Sequence, residues 1–226
     1  MRIVPEAIRF VKGKRRVLRP RCFPYRMGGM NRLLVDLLEG RISTLTVTAD
    51  GQMRADDPPQ GALLSGSFNP LHWGHEALAA AAAHHLGVAV AFELPVVNAD
   101  KGVLNAAEVQ RRAAQFAGRH TLVLSRAPRF LDKAALYPGR VFILGYDTAV
   151  RLIDPRYYDG TAGLAAALAT LRAAGCRFLV AGREIAGRFA TLADLDVPAG
   201  FEVLFIVLPE TAFRADISST ELREGR

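Results

Sequence analysis

The 226-residue sequence contains only two cysteines, Cys22 and Cys176, far apart along the chain. They form neither a metal-ligand spacing nor a disulfide framework, so a reducing compartment, the cytoplasm, is the expected setting. No apolar run approaches the roughly 20 residues that a membrane-spanning helix needs. The longest candidate, Leu78 to Leu86, is alanine-rich and contains His84 and His85. Aromatic residues are also few, at 8%, with one tryptophan, Trp73. Aliphatic residues and alanine supply most of the 50% hydrophobic content, which suffices for a sizeable core. The length allows one large domain, or one domain with a small added element.

Acid is nearly missing from the start of the chain. Residues 1–32 hold ten Arg or Lys and one acid, Glu6, for a charge of +9. The whole chain is +7, which leaves residues 33–226 at −2. The basic character therefore belongs to the N-terminus. It is no argument that the main domain binds nucleic acid, and none is expected as its partner. An Arg-rich, acid-poor start reads first as a solvated charged extension, with an RNA-binding arm or a transit peptide as alternatives.

Residues 51–60, polar and carrying Pro58-Pro59, are the best linker in the chain. They divide a basic extension, residues 1–59, from a main domain, residues 60–226. Within the extension, Met30 to Leu38 reads as a short helix and Ile42 to Thr48 alternates like a strand; together they are too small to fold alone. After the linker, short apolar runs recur at Ala62–Leu64, Val88–Leu94, Thr121–Leu124, Val141–Leu144, Phe178–Val180 and Val203–Leu208. Helices are expected between them at 75–86, 105–117, 147–153 and 161–174. Asn105, three residues before Glu108, and Thr161 are candidate helix caps. Apolar strands without alternation, separated by helices, predict an α/β fold: a Rossmann-like parallel sheet with helices on both faces. Such sheets place their sites beyond the C-terminal ends of the strands.

The first of those ends leads into Gly66-Ser67-Phe68-Asn69-Pro70-Leu71-His72-Trp73-Gly74-His75. A tight turn at Gly66 and Ser67 exposes backbone N–H groups. A helix beginning near Gly74 points its N-terminus into the same space, where its free donors and dipole favour a phosphate. His72 and His75, three residues apart, are placed to converge on one anion, and Gly74 leaves room for a base or ribose. A structural metal is not expected, because no Cys or further His accompanies the pair.

This string resembles the nucleotidyltransferase superfamily marked by a His-x-Gly-His motif, and most closely its nicotinamide-nucleotide adenylyltransferases. Ile217-Ser218-Ser219-Thr220-Glu221-Leu222-Arg223 is similar to the family's ISSTxIR element, with leucine in place of isoleucine. The resemblance covers residues 60–226. It implies that His72, His75 and Arg223 are catalytic, and that Gly66, Ser67, Phe68 and Gly74 bind nucleotide together with Ser218, Ser219 and Thr220. Gly145-Tyr146-Asp147-Thr148 is similar to the family's Gly-x-Asp element, so Gly145 and Asp147 join the nucleotide site; Asp147 is equally suited to cap the next helix. Phe178–Arg183 is similar to the strand that ends in a phosphate-side arginine, which implicates Arg183; Glu184 stands where the nicotinamide-nucleotide enzymes commonly have proline. The segment Glu93–Lys101 resembles the one that shapes the acceptor pocket, which implicates Asn98 and Lys101. Arg111 and Arg112 suit either the pocket or the surface. The tryptophan that stacks on the pyridine in those enzymes has no counterpart after Asp147, where Tyr157 or Tyr158 offers an aromatic face.

The implied reaction is transfer of an adenylyl group from ATP, with Mg²⁺, to a phosphate-bearing acceptor such as nicotinamide or nicotinate mononucleotide. Related alternatives are a cytidylyltransferase or a pantetheine-phosphate adenylyltransferase; the Phe68-Asn69-Pro70 insert favours the nicotinamide type. An aminoacyl-tRNA synthetase shares the histidine signature, but no KMSKS-like element is visible. A weakly catalytic nucleotide- or RNA-binding protein is the remaining alternative. The expected partners are small molecules, with no membrane, and homo-oligomerisation stays open.

Overall fold

The computed structural model describes residues 27–98, 102–185 and 187–214. Helix α1, Met27–Leu38, buries Leu34 and Leu37 and is closed at its C-terminus from outside. The Arg126 guanidinium donates to the carbonyls of Leu37 and Leu38 at 3.0 and 2.6 Å, satisfying acceptors that a helix end leaves open. Strands β1, Thr44–Val47, and β2, Met53–Ala55, form an antiparallel hairpin. Asp56, at φ 50°, closes its base by accepting from the N–H groups of Ser43 and Thr44 at 2.7 and 2.8 Å.

The chain then alternates. Strand β3, Ala62–Ser65, leads through helix α2, Trp73–Leu86, to β4, Val90–Pro95. The short strands β5, Val97–Asn98, and β6, Gly102–Val103, pair with each other before helix α3, Ala106–Ala113, and strand β7, Leu122–Ser125. Helix α4, Phe130–Leu136, precedes β8, Val141–Gly145. Helices α5, Tyr146–Leu152, and α6, Gly160–Ala173, precede β9, Arg177–Ala181. A hairpin of β10, Arg183–Ile185, and β11, Arg188–Ala190, comes before the last strand, β12, Phe205–Leu208.

The main sheet runs β12-β9-β8-β3-β4-β7-β1-β2. The six strands from β12 to β7 are parallel, and the N-terminal hairpin continues the same sheet antiparallel to β7. All four residues of β1 are buried, so the hairpin covers what would otherwise be an exposed edge at β7. Helices α1, α2 and α3 pack on one face around Leu64, Phe92 and Leu124. Helices α4 and α6, together with residues of α5, pack on the other around Leu63, Phe142 and Phe178. The expected Rossmann-like α/β sheet, covered on both faces, is the observed fold. Burial on both faces explains why its strands are continuous apolar runs and not alternating ones.

Asn105 caps α3 as its spacing predicts, its Oδ1 accepting from the Glu108 N–H at 2.9 Å. Thr161 does not cap α6. The helix begins one residue earlier, at Gly160, behind Asp159, so Thr161 lies in its first turn. Asp147 likewise lies inside α5 rather than capping it, because Gly145 holds the N-cap position. The run expected at Val203–Leu208 begins as a 3₁₀ turn, Glu202–Leu204, and becomes a strand only at Phe205. Cys176 is buried as a free thiol, and Cys22 lies outside the described residues. Among the described residues no helix is long and apolar enough to cross a membrane.

Candidate functional site

The C-terminal ends of β9, β8, β3 and β4 lie side by side. Chain direction changes sides between β3 and β8: β3 continues to β4 on one side, and β8 to β9 on the other. That is the position where open α/β sheets bind ligands. Every described residue that the sequence singles out follows one of these four ends.

The turn after β3 is built from both directions. Gly66 donates its N–H to the Glu93 carbonyl on β4 at 3.0 Å. A Cβ on Gly66 would sit 2.9 Å from the Phe68 ring, so the turn requires glycine there. Phe68 adopts φ 44°, a left-handed conformation unusual for a bulky residue. Its ring is 1% exposed and makes edge contacts with His75, Phe92 and Phe116 at 5.1, 5.5 and 5.2 Å between centroids. The core therefore holds the Phe68 side chain, and only its backbone is left for a ligand. The Asn69–Pro70 peptide is cis.

Helix α3 clamps the same turn. Gln115, just past the helix, donates to the Phe68 carbonyl at 2.9 Å and accepts from the Leu71 N–H at 2.8 Å. Arg112 donates to the Ser67 carbonyl at 3.1 Å, and Arg111 to Asn69 Oδ1 at 2.5 Å. Glu108 pairs with both arginines, and they hold its carboxyl down at about 2. Arg111 and Arg112 thus serve the loop. Gln115 escapes a reading of the sequence alone; the available signal is that Glu108, Arg111, Arg112 and Gln115 recur at three-, four- and seven-residue spacing, one side of a helix.

His72 stands at the N-cap of α2 and His75 in its first turn, with Gly74 buried between them and Trp73 49% exposed. The two imidazoles converge as their spacing predicts: their centroids are 3.7 Å apart, with planes tilted by 30°. His75 Nδ1 accepts from the His72 N–H at 3.3 Å. That contact assigns the ring proton of neutral His75 to Nε2. Burial, with His72 alongside, pushes the His75 pKa down to about 3. Burial also lowers that of His72, opposed by the Glu76 carboxylate. Both rings are therefore neutral hydrogen-bond donors near pH 7, beside the free N–H groups of a helix start.

Beyond β8, Gly145 is exposed, and no atom lies within 4 Å of where a Cβ would be. Asp147 is also exposed and is ion-paired with Arg183 at the start of β10. The pair bridges the ends of β8 and β9. Beyond β4, Asn98 is exposed at the end of the β5–β6 hairpin. Lys101, Ser218, Ser219, Thr220 and Arg223 lie outside the described residues. Among the described residues, no three His, Cys, Asp or Glu side chains gather as metal ligands.

A second pair beside the site is of another kind. Glu93 and Lys133 are 0% and 3% exposed, on the sheet face opposite Phe92 and Leu94. Lys133 Nζ donates to both Glu93 oxygens at 2.7 Å and to the Ala127 carbonyl at 2.8 Å, which uses all three of its protons. Ser125 Oγ also donates to Glu93. The carboxylate is thus fully engaged at the point where its own backbone carbonyl receives Gly66. Burial pushes the Tyr137 phenol up, and the Glu93 charge adds to the shift.

The turn and helix start after β3, an acid at the neighbouring strand end and an arginine at the next one thus lie side by side at the switch point. No curated protein matches the chain. The family model described as cytidylyltransferase-like matches residues 63–225, from inside β3 onward, and the chain belongs to that nucleotidyltransferase-like family.

Proposed function

We propose that the protein transfers an adenylyl group from ATP to a phosphate-bearing acceptor, nicotinamide or nicotinate mononucleotide, with release of pyrophosphate. The observation that carries this reading is the pair of neutral imidazoles, 3.7 Å apart, at the N-terminus of α2. Neutral donors and helix N–H groups bind phosphate oxygens without requiring a proton to be moved.

In the reaction, an acceptor phosphate oxygen attacks the α-phosphorus of ATP. The bond from that phosphorus to the α,β-bridging oxygen breaks, and its electron pair leaves with pyrophosphate. The nucleophile is already an anion, so catalysis is positioning and charge stabilisation. His75 offers its Nε2 proton to the transferring phosphate, with His72 beside it. Gly66, Ser67 and the Phe68 backbone border the phosphates, and Gly145 leaves open space for the nucleoside. Asp147 accepts from ribose hydroxyls, which frees Arg183 for phosphate oxygens. Arg223 joins the histidines in stabilising charge on the transferring and leaving phosphates, Ser219 and Thr220 hold the β,γ end with Ser218 beside them in sequence, and Asn98 and Lys101 bind the acceptor. Mg²⁺ would neutralise the triphosphate and be held largely by its oxygens, as Mg²⁺ is where proteins supply few carboxylates.

The family description makes CTP the donor to compare. The test is pyrophosphate release from purified protein, Mg²⁺, and ATP or CTP, against nicotinamide mononucleotide, nicotinate mononucleotide, pantetheine phosphate and glycerol phosphate. Turnover is expected with ATP and a pyridine mononucleotide. Turnover with CTP alone, or with pantetheine phosphate alone, replaces the assignment by the corresponding transferase; no turnover with any pair overturns it.

A further inference from the structure

The two histidines of α2 have unlike neighbours. Glu76 follows His72 by four residues, one turn of the helix, and its N–H donates to the His72 carbonyl at 3.4 Å. Residues four apart lie on the same side of a helix, so the Glu76 carboxylate stands beside His72. The position one turn beyond His75 is Ala79, which is buried, and the His75 ring packs edge-on against Phe68 instead. Burial disfavours the charged form of both rings. For His72 the Glu76 charge opposes that effect, whereas for His75 the neighbouring His72 adds to it.

Glu76 is itself held from outside the helix. His120 Nε2 donates to Glu76 Oε1 at 2.7 Å, and Arg119 pairs with the same oxygen. Glu76 and His120 are partly buried and Arg119 is exposed, so water screens the arginine and its charge offsets that of Glu76 only in part. Arg119 and His120 stand in the turn between α3 and β7, which is fixed in its turn. Both donate their N–H groups to the Phe116 carbonyl at 3.0 Å, Gly118 donates to the Ala49 carbonyl at 3.1 Å, and the Thr121 carbonyl accepts from Phe92 on β4 at 3.0 Å. The His120 ring lies 4.9 Å from that of Phe92. Helix α3 brings two more cations toward the same loop, Arg111 and Arg112, whose charge Glu108 meets.

We infer that Glu76 is a positioning residue: held by Arg119 and His120 one helical turn from His72, it makes His72 the ring that takes up a proton when nucleotide phosphates approach the pair, and leaves His75 a neutral donor. This rests on the nucleotide site proposed above. The proton comes from solvent and goes to a ring nitrogen of His72, and no bond to the substrate forms or breaks. Both rings are neutral near pH 7 in the free protein, so uptake accompanies nucleotide binding and grows as pH falls toward the imidazole range. The result is a division of labour between two rings 3.7 Å apart: His72 supplies positive charge and His75 a directed Nε2–H.

The test uses the full chain as wild type, Glu76→Gln and Arg119→Gln. Both substitutions break the same ion pair, so a bridge that is merely structural has the same effect in both. Charge has opposite effects: Glu76→Gln removes the anion that favours a protonated His72, and Arg119→Gln removes the cation that offsets it. Two quantities are read. One is the titration of each imidazole by NMR without nucleotide. The other is proton uptake on Mg-ATP binding at about pH 6, from calorimetry in two buffers of different ionisation enthalpy. The proton affinity of His72 should fall about two- to threefold in Glu76→Gln, the scale of a charged pair one helical turn apart, and rise by a smaller factor in Arg119→Gln. His75 should protonate after His72 in all three proteins, and proton uptake should fall in the first variant and rise in the second. Shifts of the same sign in both variants, an unmoved His72, or earlier protonation of His75 overturn the inference. Normal Mg-ATP binding without proton uptake overturns it alone. Wild-type protein that fails to bind Mg-ATP overturns the nucleotide reading itself, and the inference with it.

Discussion

Two ion pairs stand at the C-terminal edge of the same sheet, and they differ in nearly every physical respect. Glu93–Lys133 is fully buried, its ammonium saturated by three oxygens and its carboxylate shared with Ser125. Asp147–Arg183 is exposed, with 56% and 38% of the two side chains open to water. Water screens the exposed pair and offers both partners an alternative, so a ligand can replace either interaction at little cost. The buried pair has no such alternative: removing one partner strands a charge in the core. The contrast suits the buried pair to holding the β4 end that receives Gly66, and, under the function proposed above, the exposed pair to exchange with a ligand.

The comparison predicts the largest effect for Lys133→Met, which leaves the buried Glu93 without its cation. It should destabilise the fold by about 3–5 kcal/mol in urea denaturation, whereas replacing both partners by Glu93→Leu with Lys133→Met should recover much of that loss. If the single variant is as stable as the wild type, the pair is not the fixed element of the contrast.

Gln115→Ala comes next. It removes two hydrogen bonds to the turn, each of net worth about 0.5–1.5 kcal/mol. The expected result is a modest loss of stability with a larger loss of turnover, because the Phe68–Leu71 backbone loses both supports. Equal fractional effects on stability and turnover would make Gln115 an ordinary packing residue.

A third effect depends on pH. The pKa of His75 in the folded state, about 3, lies below the unfolded value of 6.5. Between those values the unfolded chain binds more protons than the folded one, so stability falls as pH drops from 6.5 toward 3. His72, also lowered, acts in the same direction. His75→Asn should flatten this slope in denaturation curves between pH 6.5 and 4. A slope unchanged by the substitution would mean that His75 titrates alike in both states.

The smallest stability effect belongs to Asp147→Asn. Loss of an exposed pair should change stability by less than about 1 kcal/mol. The same change should raise the KM for ATP several-fold, and the two pairs are sharpest in contrast here, where function moves and stability does not. A KM equal to that of the wild type would remove Asp147 from the site.

How much of this was legible depended on whether a feature was local. The six parallel strands show in the sequence because burial on both faces makes each a continuous apolar run. The hairpins β5–β6 and β10–β11 do not show, because their exposed residues carry no apolar alternation and backbone pairing alone defines them. Helix α4 is too short for its periodicity to register. Thr161 is a chemically suitable cap placed two residues too late, since the chain enters α6 through Asp159 and Gly160. At the site, the convergence of His72 and His75 follows from three-residue spacing on one helix start. The burial of the Phe68 ring, the Gln115 clamp and the Glu93–Lys133 pair join residues some forty positions apart, and only the tertiary fold brings them together.

The central claim is that the His75 Nε2 proton faces the transferring phosphate. The most direct measurement is the rate of pyrophosphate release by His75→Asn beside the wild type, with ATP and the preferred acceptor. Asparagine can keep an acceptor where Nδ1 receives the His72 N–H, while the distal donor is lost. The account predicts a folded variant slowed by about a hundredfold, the scale of losing one preorganised donor at a reacting oxygen. Wild-type turnover in that variant would contradict it.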